Sequence, residues 1–133
     1  ELSRFFEIMR CGGELDGVRV IDTDTIRRAL VERSHLEIDL SLGYPTRFSY
    51  GLMLGAKVVS LYGLDTQHAF GHLGFTNILA WADPERATSV AVIYQDGDVN
   101  YVSTVTVQTI KDSPAYAADS ATIIKGFQMV PPK

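Results

Sequence analysis

The residues best placed for chemistry stand in "FGHLGFTN", residues 70–77, where His72 lies between Gly71 and Gly74 and is followed by an aromatic and two small polar residues. A histidine used only for packing usually sits among apolar side chains. Flanking glycines let another molecule's atoms approach the ring and the adjacent backbone. An imidazole so presented can hydrogen-bond a ligand whether neutral or charged. The same glycines also suit a bulge with His72 facing solvent, so the pattern by itself leaves both readings open.

Other groupings point to structure before chemistry. His68 and His72 are four residues apart, but the zinc-protease helix needs a glutamate after the first histidine and Ala69 stands there. His35 has Glu37 and Asp39 nearby with no nucleophile at a useful spacing, which reads as a solvated loop. Asp83-Pro84-Glu85 looks like a carboxylate pair, yet Asp-Pro followed by charged residues between two apolar runs is turn chemistry. Trp81 reads as a core or groove aromatic of a sheet. No Gly-x-Ser-x-Gly elbow, phosphate-cradling loop or dinucleotide fingerprint is present in the sequence.

The elements that must position His72 follow from the period of the apolar residues. The 133 residues suffice for one domain with a real core, and 46% hydrophobic against 21% charged residues is ordinary for a globular chain. Residues 1–46 are expected to be mainly helical. Leu2, Phe5, Phe6, Ile8 and Met9 fall at helical spacing before Gly12-Gly13, and Asp22, Thr23 and Asp24 offer caps for a second helix through Ile26, Ala29 and Leu30. "HLEIDLSLGYPT" alternates like a strand but is polar enough for a loop. Over 47–110 the period becomes two: "RFSYGLML", "HAFGHLG", "NILAWAD", "ATSVAVIYQ" and "YVSTVTVQTI" read as extended, with turns at "DPER" and "DGD". Residues 113–127 form a candidate C-terminal helix with Pro114 at its first turn and Gly126 at its end. This order gives an α+β fold, an antiparallel sheet flanked by helices.

Composition excludes some partners. A net charge of −4 argues against nucleic acid, and the seven arginines among the first 47 residues are interleaved with acids, as on a solvated helical surface. No apolar run approaches the roughly 18 residues of a membrane helix. The single cysteine, Cys11, allows no internal disulfide, and the compartment stays undecided. The chain begins "ELSRFF" already inside a helical pattern, which suggests a cut within a longer protein.

"GGELDGVRVID" with a capped helix, then "FSYGLML", then "FGHLGFTNILAWADPE" and a hydrophobic strand, resemble in order and spacing the C-terminal part of the β-lactamase-related serine hydrolases. The resemblance runs from Glu1 to about Tyr94. This superfamily holds class C β-lactamases, penicillin-binding proteins and related esterases. It implies an antiparallel sheet beside an all-helical region, with the active site between them. It also implies three motifs: Ser-x-x-Lys, a Tyr motif, and Lys-Thr-Gly on a cleft-lining strand, which becomes His-x-Gly in many esterase-like members. His72-Leu73-Gly74 matches the last. The resemblance therefore makes His72 and Gly74 substrate-side residues, and makes the N–H of Phe75 an oxyanion donor beside the nucleophile's own N–H.

Residues 1–133 hold neither Ser-x-x-Lys nor Tyr-x-Asn; the nearest string is Thr122-Ile123-Ile124-Lys125. The family would place both motifs upstream of Glu1. The family also expects a helix soon after "SVAVIY", whereas "YVSTVTVQTI" reads as another strand. The expected activity is that of a segment of an esterase-type serine hydrolase acting on small esters or amides through an acyl-enzyme, without cofactor or metal. This chain alone is expected to be silent, and to form a homodimer or associate with the missing half. The alternative is a non-catalytic binding module derived from the same fold.

Overall fold

The computed structural model describes residues 1–74, 78–95 and 102–109. Helix α1 (Leu2–Arg10) turns Phe6 and Met9 inward and ends where the backbone becomes left-handed at Gly12 and Gly13. Gly13 is required there twice over: its φ is +96°, and a β-carbon would fall 1.9 Å from the Ile21 carbonyl oxygen. Strands β1 (Glu14–Leu15) and β2 (Val18–Arg19) form a small hairpin across Asp16-Gly17, both at positive φ, as a two-residue turn demands. Helix α2 (Thr23–Ala29) starts on Asp22, whose carboxylate accepts from the Thr25 N–H at 3.1 Å, and buries Ile26.

The rest is one seven-stranded antiparallel sheet whose spatial order is the chain order: β3 (Ser34–Asp39), β4 (Tyr44–Phe48), β5 (Met53–Leu54), β6 (Phe70–Gly74), β7 (Ile78–Asp83), β8 (Thr88–Gln95) and β9 (Val102–Thr109). Register and the two-residue alternation of strands assign the faces. Leu54, Phe70, Ala82 and Ser89 share one row, and His72, Ala80 and Ala91 the next, on the face that α1 covers. Met53, Gly71, Trp81 and Val90 lie on the opposite face. The core forms where Phe6, Met9 and Ile26 meet Phe70, Ala80, Ala82 and Ala91. Each large side chain buried there contributes about 1.5–3 kcal/mol.

Two expectations change. The first 46 residues are not mainly helical, because 34–39 and 44–48 are paired strands. The polar residues of 34–39 fit a strand at the sheet's edge, where one side remains in water. The hairpin between them is closed by Asp39, which accepts from the N–H groups of Ser41 and Leu42 at 2.8 and 3.1 Å. "RFSYGLML" is not one strand but two: the Ser49 N–H bonds the Leu52 carbonyl at 2.8 Å, and Gly51 takes φ +139° in the turn. The run after "SVAVIYQ" is strand β9, as its alternation reads, paired with β8 throughout. The "DGD" turn and the candidate helix 113–127 lie outside the described residues.

Candidate functional site

His72 stands exposed in the middle of β6, opposite Ala80 of β7. Its Nδ1–H donates to the Leu73 carbonyl, and the Phe48 ring lies with its centroid 6.3 Å away at 59°. With Nδ1 so engaged, Nε2 is the ring nitrogen left for another molecule. Gly74, two residues on, faces the same way and is exposed. A β-carbon at Gly74 would fall 2.9 Å from the Ile78 β-carbon. Phe75 lies outside the described residues.

Gly71 has a different office from the one its neighbour suggests. It is buried on the face away from His72, and a β-carbon there would come within 2.2 Å of the Ala80 carbonyl oxygen and 2.5 Å of the Trp81 β-carbon. The space is filled by Trp81, which stacks on Tyr62 with centroids 5.9 Å apart at 24°. The Tyr62 hydroxyl donates to the Met53 carbonyl at 3.1 Å, and burial raises its pKa well above the ordinary phenol value. Gly71 therefore admits Trp81 and not a ligand.

The remaining sequence candidates disperse. His68 faces Glu85 at 3.5 Å, and His35 pairs with Glu32 at 2.6 Å, not with Glu37 or Asp39. His68 lies in the turn before β6 and His72 within β6, and no group of three metal-ligating side chains occurs among the described residues. Asp83 is buried in the turn: it accepts from the N–H groups of Glu85 and Arg86 at 3.0 and 3.2 Å and pairs with the Arg86 guanidinium at 2.6 Å. Among the described residues no helix is long and apolar enough to cross a membrane.

Two ion pairs escaped sequence reasoning. Glu7 and Arg10 meet between α1 and the sheet at 2.5 and 2.8 Å, against the fully buried Ser89. Burial would raise the Glu7 pKa, but the hydrogen bonds and charge of Arg10 outweigh it and hold the carboxyl below its ordinary range. The only sequence signal was an i,i+3 spacing, which normally marks a solvated helix face. Glu32 and Arg47 join the α2–β3 connection to β4 through a bidentate contact at 2.7 and 2.9 Å.

The Glu32 carboxyl is brought down to about 2, chiefly by its hydrogen bonds from Arg47, with His35 adding to the effect. A folded-state pKa below the unfolded value near 4.3 means stability that is present above about pH 5 and lost as pH falls toward about 2. Solvent around this half-buried pair reduces its worth to about 1 kcal/mol. Glu32→Gln is thus expected to lower stability at pH 7 by that amount and to leave it nearly unchanged near pH 2.5, read from urea midpoints at both values.

No protein-family model matches the chain. The sequence is 25% identical over 96 residues to an esterase/β-lactamase, LipL, of Mycobacterium tuberculosis, covering 70% of this chain and 20% of that protein. The fold superposes on the crystal structure of a family VIII carboxylesterase with a TM-score of 0.53 and 28% identity, over 63% of this chain and 22% of the other. The chain therefore spans about a fifth of the length of each relative it matches. An antiparallel sheet with helix α1 on the His72 face, alike in fold to a carboxylesterase and in sequence to an esterase/β-lactamase, makes this an α+β chain of the β-lactamase-like fold.

Proposed function

We propose that the chain contributes the sheet side of the active site of an esterase-type serine hydrolase, with His72 and Gly74 at the substrate and the Phe75 N–H as an oxyanion donor. The observation that carries this is an imidazole held outward on a central sheet strand of a fold similar to a carboxylesterase. A serine attacking a small ester or amide would develop negative charge on the carbonyl oxygen. Backbone donors already in place stabilise that charge without reorganising. Expulsion of the alcohol or amine leaves an acyl-enzyme, which water then hydrolyses. Histidine in place of a lysine removes a fixed positive charge and favours neutral esters over substrates with a carboxylate. The chemistry needs no cofactor.

Residues 1–133 contain no Ser-x-x-Lys, so the nucleophile has to come from other residues, on the same polypeptide or a second one. Loss of the nucleophile costs on the order of 10⁶ in rate in a serine hydrolase. Residues 1–133 alone are accordingly expected to hydrolyse p-nitrophenyl acetate no faster than buffer. The gene product from its source cells is expected to react with a fluorophosphonate probe at the serine of a Ser-x-x-Lys motif. In that product His72→Ala should lower kcat/KM roughly tenfold, the worth of one lost hydrogen bond. Turnover by residues 1–133, or a source-cell product that begins near Glu1 and takes up no probe, overturns the reading. The second outcome leaves a binding module built on the same fold, a reading that the missing motif and the exposed edge strand β3 also favour.

A further inference from the structure

At the end of β6 away from His72, a groove of about 720 Å³ opens between the β3–β4 hairpin and the segment 56–59. Its size lies within the range of small-molecule sites, roughly 300–1,000 Å³. Leu36, Tyr44, Pro45, Ala56, Val58 and Val59 give it an apolar lining. The wall formed by segment 56–66 is tied in place: the Asp65 and Thr66 N–H groups bond the Lys57 and Ala56 carbonyls at 3.0 Å each, and Ser60 and Thr66 hydroxyls meet at 2.7 Å. The backbone that presents these lining side chains would not first have to be ordered.

The charge of this groove runs against that of the chain. The sequence has a net charge of −4, yet the groove is lined by Lys57, Arg47, His35 and His68 with no carboxylate among its lining residues. Arg47 is spent on Glu32 and on the Gly55 carbonyl at 2.5 Å, His35 is on Glu32, and His68 faces Glu85. Lys57 remains: among the described residues its ammonium has no carboxylate within 4.0 Å. A trough with an apolar lining and one lining cation that no described carboxylate pairs matches a ligand with an apolar chain and a single negative head.

We propose that this groove binds a linear, medium-chain carboxylate, its carboxylate on the Lys57 ammonium and its chain along Tyr44, Pro45 and Val59. Isothermal titration of the 133-residue chain with sodium octanoate, kept below its micelle concentration, is expected to show one saturable site. Octan-1-ol keeps the chain and lacks the charge, and should bind at least tenfold more weakly. Lys57→Gln should weaken octanoate at least tenfold, and Val59→Asp, on an exposed side chain, should do the same by placing a like charge beside the tail. Unchanged melting temperatures will show that both variants fold. Absence of saturation to roughly 1 mM, equal binding of the alcohol, or indifference to both substitutions overturns the proposal. Since the readout is binding away from His72, failure here leaves the hydrolase reading intact.

Discussion

Gly71→Ala is expected to destabilise the protein by about 3 kcal/mol or more, the upper range for overpacking a core. The added β-carbon would sit 2.2 Å from the Ala80 carbonyl oxygen and 2.5 Å from the Trp81 β-carbon. Neither is the far end of a flexible side chain, so no rotamer change relieves the clash; β6 and β7 must separate. Gly17→Ala makes the informative comparison. Gly17 has φ +78° and nothing within 4 Å of its would-be β-carbon, so the cost there is backbone strain alone, about 1 kcal/mol. Urea unfolding of the two variants should differ by about 2 kcal/mol or more, and the Trp81 emission should shift only in Gly71→Ala. Equal costs for the two would mean that Gly71 and Trp81 do not share a register position.

The same pair shows what was legible in the sequence. Alternation over 78–83, 88–95 and 102–109 is strong, and the strands lie there. The order of capped helices, turns and strands gave α+β, and "FGHLG" was extended as read. The use of Gly71 was hidden, since it depends on a partner ten residues away in β7, and register between strands is not written in local pattern. The hairpin at 49–52 was missed for a related reason: "SYGL" lacks an Asn-Gly or Asp-Gly signal, and the alternating apolar residues carry across it. Edge strand β3 read as either strand or loop because burial, which makes strands apolar, acts weakly on an edge. The exposure of His72 was legible from its glycines, but only one of the two, Gly74, faces its way.

Arg10→Met is the second large effect, and its pH dependence is the more telling part. Arg10 and Glu7 are both about nine-tenths buried, with 9% of each side chain exposed. Removing one partner of such a pair leaves an uncompensated buried charge, a loss of about 3–5 kcal/mol near pH 7. In the unaltered protein the Glu7 carboxyl lies below its ordinary value because Arg10 outweighs burial. Its contribution is therefore present above the unfolded pKa near 4.3 and is lost as pH falls through the folded one. Without Arg10 only burial and weaker bonds remain, and the shift reverses. The folded variant then binds the proton more readily than the unfolded chain, so acidification from pH 7 to about 4 neutralises Glu7 and recovers stability. The gap between protein and variant should shrink over that interval, and Glu7→Gln combined with Arg10→Met should recover much of the loss at pH 7. A gap that stays constant with pH would place Glu7 in water, and α1 would then be held to the sheet by its apolar residues, Leu2, Phe6 and Met9.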